Sequence, residues 1–144
     1  RYDDVIPLHR LPPMPVLRIL IVEDQADSAE ALAVALRLEG HEVRVAYDGE
    51  SGLAAAAEIR PDVALLDLGL PRLSGFAVAT RLRAEPGLGD TFLVAVTGFG
   101  DEDDRARALD AGFDLHLTKP VDFDVLRVEL ENLPPPESRL SRAL

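Results

Sequence analysis

The 144-residue chain contains no cysteine. That absence excludes a disulfide framework, a thiolate zinc site and a cysteine nucleophile. Long apolar runs are also missing: the longest are short stretches such as 63–66 and 92–96, far below the 18 or more residues a membrane-spanning helix needs. Residues 1–15 have no apolar core of the kind a signal peptide carries. Basic residues are scarce, 15 against 26 acidic, for a net charge of −11. Such a charge repels nucleic acid and anionic membranes. Lysine is the rarest of the charged types, with Lys119 standing alone against 14 arginines. Arginine- and alanine-rich codon usage explains the scarcity and marks the surviving lysine as a candidate for chemistry. What remains, 47% apolar residues in a chain of one-domain length, points to a soluble intracellular domain with a packed core.

Proline punctuates the ends. Seven of the eleven prolines fall at positions 7, 12, 13, 15 and 134–136, so residues 1–16 and 134–144 read as linker and tail around a folded domain at 17–133. The chain does not start with methionine, which suggests processing or excision from a longer protein.

Between these ends, short apolar runs alternate with helical patterns. Residues 18–22, 63–66, 92–96 and 115–117 read as strands covered on both faces, and 42–46, with alternating character, as an edge strand. Helices are expected after Asp27 or Ser28 as far as Glu39 and Gly40, and over 48–59, 74–84, 101–111 and 122–133. Four acids in the first turn of the fourth helix would suit the positive end of its dipole. Five strand–helix pairs imply an α/β fold, a parallel sheet with right-handed crossovers and helices on both faces. Ligands of such sheets bind beyond the carboxyl ends of the strands, where the strand order reverses.

The residues at those ends are Glu23 and Asp24, Asp67, Thr97 and Lys119. Three carboxylates crowded together repel one another, and a hard divalent cation such as Mg²⁺ relieves this. Lysine, metal and a threonine hydroxyl together suit a phosphoryl group, and one carboxylate is then free to act as nucleophile and form an acyl phosphate. Each residue also has a plainer reading as a turn, cap or strand exit. Their shared position on one sheet edge favours the chemical one.

Leu20-Ile21-Val22-Glu23-Asp24, Leu65-Leu66-Asp67, Val96-Thr97-Gly98 and Leu117-Thr118-Lys119-Pro120 resemble, in order and spacing, the receiver domain of two-component response regulators. The resemblance covers 17–133. It implies a flavodoxin-like (βα)5 three-layer sandwich with sheet order 2-1-3-4-5, and phosphoryl transfer from a histidine kinase or histidine phosphotransfer protein to Asp67. By the same resemblance Mg²⁺ or Mn²⁺ is held by Asp24, Asp67 and the backbone carbonyl of Gly69, with Glu23 acting through water. Lys119 and Thr97 contact the phosphoryl oxygens, and the peptide before Pro120 is cis. Thr97 and the ring of His116, where receivers usually carry tyrosine or phenylalanine, form the switch. It drives an output surface made of the fourth helix, fifth strand and fifth helix, which meets a downstream protein. Gly69 and Phe99 tune the lifetime of the acyl phosphate. His116 also adds pH sensitivity, or else simply packs on the last helix.

The chain is not expected to bind DNA or membranes, and is expected in the bacterial cytoplasm as a phosphoacceptor rather than a conventional enzyme. Short stretches, among them Val5-Ile6-Pro7-Leu8, resemble hybrid sensor kinases that carry a receiver at the C-terminus. Two other classes compete. A phosphorylation-independent binding module would not need the intact acceptor set. An aspartyl-phosphate phosphohydrolase needs a second acid two residues after its nucleophile, where this chain has Gly69. Flavin binding would need a hydroxyl-rich loop in place of the acidic Asp24-Gln25-Ala26-Asp27.

Overall fold

Five short strands and five helices alternate along the chain in the computed structural model, which describes residues 16–98 and 102–133. They are β1 (Arg18–Val22), α1 (Ala26–Leu38), β2 (Glu42–Ala46), α2 (Gly49–Ile59), β3 (Val63–Asp67), α3 (Gly75–Ala84), β4 (Phe92–Thr97), α4 (Glu102–Ala111), β5 (Leu115–Thr118) and α5 (Phe123–Glu131). The strands form one parallel sheet in the order β2-β1-β3-β4-β5.

Every residue of β3 and β4 is buried, as their unbroken apolar runs require when helices cover both faces. Successive side chains point to opposite faces, so each run feeds two cores. Leu20, Val22, Ala64, Leu66, Leu93 and Ala95 pack with Ala55 and Ala56 of α2, Val78 and Leu82 of α3, and Ala108 of α4. Ile19, Ile21, Val63, Leu65, Val94 and Val96 pack with Ala29, Ala33 and Leu36 of α1 and with Leu126 and Leu130 of α5. The alternating exposure of β2 fits its place at the sheet edge.

Helix boundaries differ from the sequence reading where caps decide them. α1 starts at Ala26 behind Gln25, whose side chain makes no cap bond, and Asp27 and Ser28 lie inside its first turn. The chain turns into the helix directly after the acidic pair, with Ala29 N–H donating to the Gln25 carbonyl at 3.0 Å. Glu39 is the C-cap, and Gly40 follows at φ +98°. Asp48, Ser74 and Asp122 stand outside their helices as N-caps, accepting from the N–H groups of Ser51, Ala77 and both Asp124 and Val125. α5 closes at Glu131. Asp101, expected in α4, lies outside the described residues, as do the linker and tail apart from Val16.

The end of the sheet remote from the strand carboxyl termini is fastened by one arginine. Arg83, in the last turn of α3, donates to the carbonyls of Gly89, Thr91 and Gly112 at 2.6–3.0 Å and to Asp114 Oδ2 at 2.8 Å. That carboxyl also accepts from Leu93 N–H at 2.9 Å. One guanidinium thereby ties α3 to the loops that enter β4 and β5. Its planar fork of five donors suits this task in a way that lysine does not. Removing it takes away five hydrogen bonds and the guanidinium charge beside the Asp114 carboxyl, so Arg83→Ala should lower unfolding stability by about 3 kcal/mol in a urea titration.

Candidate functional site

β1 and β3 are neighbours although β2 lies between them in sequence, so the chain leaves the sheet centre in opposite directions at their carboxyl ends. Backbone pairing continues one residue past each strand. Glu23 N–H donates to the Ala46 carbonyl (3.0 Å), Leu68 N–H to Val96 (2.9 Å) and Lys119 N–H to Thr97 (2.7 Å). These bonds set the side chains of Glu23, Asp67, Thr97 and Lys119 along one edge.

Asp67, Glu23 and Asp24 come together, with one carboxylate oxygen from each lying within 4.8 Å of the others. Asp67 is 8% exposed and Glu23 6%, while Asp24 is on the surface. Lys119 Nζ lies 2.5 Å from Glu23 Oε1 and 3.3 Å from Asp67 Oδ2. The other Asp67 oxygen accepts from Gly69 N–H at 2.9 Å, and the other Glu23 oxygen from Gln25 N–H at 3.2 Å. Thr97, 4% exposed, shares a hydrogen bond between its Oγ1 and His116 Nε2 at 3.1 Å. The Lys119–Pro120 peptide is cis. At Gly75 an added methyl group would collide with the Asp67 carbonyl, so only glycine lets α3 start against the end of β3. Phe99 lies outside the described residues.

Crowding shows in the titration behaviour. Burial pushes the Glu23 carboxyl above its ordinary value, and neighbouring Asp67 adds to this. The Lys119 ammonium and the Gln25 N–H oppose the rise without cancelling it. For Lys119, burial disfavours the ammonium. The hydrogen bond to Glu23 and the charges of Asp67 and Glu23 outweigh it and hold the group above the usual lysine range. His116 is lowered, first by burial and then by the charge of Arg105, with Asp104 opposing.

Three carboxylates with one shared ammonium retain excess negative charge. The donor set is all oxygen and hard, which fits Mg²⁺ or a similar ion better than a soft metal. Asp67 also borders two clefts. One, of about 550 Å³, runs between α1 and α5 and includes Glu23, Lys119, Leu32 and Phe123. The other, of about 370 Å³, lies between α3 and α4 and includes Gly69, Phe76, Thr97, Asp104 and Arg107. The sequence reading did not find Gln25, Gly75, Phe76, Asp104 or Arg107. Gln25 acts through its backbone, and the others reach the site from helices whose packing no local pattern marks.

A family model described as the response regulator receiver domain matches residues 19–131. The DNA-binding dual master transcriptional regulator RpaA of Synechocystis sp. is 34% identical over 116 residues, covering 81% of this chain and 48% of that protein. The DNA-binding response regulator MtrA of Mycolicibacterium paratuberculosis is 43% identical over 103 residues, 72% of this chain and 44% of that protein. The chain therefore spans about half the length of these curated relatives. Among solved structures, a CheY-like response regulator receiver domain protein from Methanospirillum hungatei superposes with a TM-score of 0.75 at 26% identity, covering 89% of this chain and 99% of that one. The matched span runs from the first strand to the last helix, with the same flavodoxin-like sheet order, and the chain belongs to the receiver domain family of two-component response regulators.

Proposed function

We propose that this chain is a phosphoacceptor in a His–Asp relay and that Asp67 receives the phosphoryl group. The observation that carries this reading is the placement of Asp67. It is buried at the end of a central strand, oriented by Gly69 N–H, paired with Lys119 and adjacent to two further carboxylates. The donor is a histidine kinase or a histidine phosphotransfer protein. An Asp67 oxygen attacks phosphorus as the phosphorus–nitrogen bond breaks, and the electron pair stays on the departing imidazole. Lys119 offsets charge on the phosphoryl oxygens, and the Thr97 hydroxyl donates a hydrogen bond to one of them. Asp24, Asp67 and the Gly69 carbonyl would hold Mg²⁺ or Mn²⁺, with Glu23 reaching it through water. Such an ion neutralises the transferring group when bound.

Recruiting the Thr97 hydroxyl breaks or reverses its bond with His116. His116 lies on β5 and lines a cleft with Arg105 and Leu109 of α4, so this change is read out on the surface of α4, β5 and α5. Leu109, Val125 and Val128 are exposed on those helices and supply apolar contact for a downstream protein. Gly69 leaves one side of the acyl phosphate accessible to water, and Phe99 is proposed as its screen. The receiver is assigned to 17–133 with linker and tail on either side, within a stand-alone regulator or a hybrid kinase. We place it in the bacterial cytoplasm. Among the described residues no helix is long and apolar enough to cross a membrane. DNA is not proposed as a partner for this stretch, whose net charge of −11 opposes it.

Intact mass after incubation with Mg²⁺ and a small phosphodonor should show a gain of one phosphoryl group. Asp67→Asn should abolish it, and Lys119→Ala should slow it by at least about tenfold. Mg²⁺ should raise the melting temperature saturably, and Asp24→Asn should remove that rise. Folded, Mg²⁺-binding protein that gains no mass would favour a phosphorylation-independent binding module.

His116 generates a pH prediction. Its folded value lies below the unfolded 6.5, so the unfolded state takes up the proton first as pH falls. The stability it contributes is complete above pH 6.5 and is lost as pH drops through the depressed folded value. Burial lowers His41 as well, in the same direction. The His116 contribution should be lost between pH 7 and 5.5. Over that range the urea midpoint of His116→Gln should therefore fall less than that of the wild type, while the raised Glu23 carboxyl works in the opposite direction in both proteins. An NMR titration midpoint for His116 at or above 6.5 contradicts this.

A further inference from the structure

The cleft between α3 and α4 holds a group that the transfer chemistry above does not use. Among the described residues lining it, Arg107 is the only cation. Its guanidinium lies over the Phe76 ring, 4.1 Å from the centroid, and Nη1 is 3.7 Å from Asp104 Oδ1. That contact holds the guanidinium over the Phe76 ring. The long contact with Asp104 engages one edge of a fork that has five donors, leaving the rest available. Asp67, Gly69 and Thr97 line the same cleft, whereas Lys119 and Glu23 line the other. At about 370 Å³ it has room for roughly ten water molecules, more than a phosphoryl group needs. Whatever is attached to the phosphorus can extend into it, towards Arg107.

We propose that Arg107 is a specificity-determining residue for small-molecule phosphodonors, favouring those whose leaving group departs as an anion. This rests on the reading of Asp67 as acceptor. With an acyl phosphate, the bond from an Asp67 oxygen to phosphorus forms as the bond from phosphorus to the bridging acyl oxygen breaks. The electron pair departs on the carboxylate, and no proton is needed. With a phosphoramidate or a phosphohistidine, the pair stays on a nitrogen that leaves neutral once protonated. Only the first gives Arg107 a developing negative charge to stabilise. The need for such a group follows from charge: a chain of net charge −11 with three carboxylates at its site repels a dianionic donor. Lys119 is already shared between Glu23 and Asp67. Arg107 supplies positive charge on the side where the leaving group lies.

The test compares initial rates of phosphorylation of the full chain, by intact mass with Mg²⁺ and subsaturating acetyl phosphate or phosphoramidate. Arg107→Ala should slow the acetyl phosphate reaction about three- to fivefold, the scale of a partly exposed ion pair. It should change the phosphoramidate reaction by less than about 1.5-fold, and Arg107→Lys should keep most of the acetyl phosphate rate. The difference between donors should shrink as salt is added. Equal slowing with both donors overturns the proposal, because Arg107 would then act only by packing α4 against Phe76. Unchanged rates with both donors overturn it too. If wild-type protein gains no phosphoryl group from either donor, the reading of Asp67 as acceptor fails, and this inference with it.

Discussion

One ammonium group stands between the fold and electrostatic strain at the site. Lys119 reaches both Glu23 and Asp67, the two carboxylates buried at the sheet's carboxyl edge. Burying acids at a junction of parallel strands is costly unless each finds a charge partner or backbone donors. Gln25 and Gly69 supply those donors from loops that begin immediately after β1 and β3. The arrangement is satisfied yet still acidic, and that residual negative charge makes the edge receptive to a cation. The extended ladder at Glu23, Leu68 and Lys119 keeps the charges in register, so the chemistry inherits its precision from the sheet rather than from flexible loops.

Much of this was legible in the sequence because a doubly covered parallel strand needs an unbroken apolar run, and the residue after that run is placed by the sheet. Val63–Asp67 is the clearest case: four apolar residues and then an acid leave little freedom in where Asp67 goes. Helix starts were less legible. Asp27 and Ser28 are good capping types, yet the turn after Asp24 is so tight that Gln25 takes the position without using its side chain. Arg83 was hidden for another reason. Its partners are mostly backbone carbonyls up to 29 residues away, and carbonyls carry no sequence signal. Phe76 and Arg107 meet only because α3 and α4 pack side by side.

The two ends of the sheet are built on opposite principles. At the far end, Arg83 meets carbonyls and a carboxylate in a network with every direction filled, which gives rigidity. At the carboxyl edge, Thr97 has one hydroxyl, held by His116 and proposed to turn to a phosphoryl oxygen, and Lys119 has one ammonium divided between two acids. Sharing of this kind keeps alternative arrangements close in energy. An anchored end and an adjustable end on one short sheet suit the proposed switch, in which a small chemical change would move helices without unfolding them.

The sheet also sorts residues that are adjacent in sequence. Leu65 belongs to the core under α1 and α5, while Leu66 belongs to the core under α2, α3 and α4. Their side chains never meet across the sheet, so the two layers are packed as separate jigsaws. Volume lost at Leu65 is refilled from the side chains of its own layer, those of α1, α5 and the same face of the sheet, and volume lost at Leu66 from the opposite layer. Sequence drift in this protein is therefore free to repack one layer while the other stays fixed, although both are written in the same short strands.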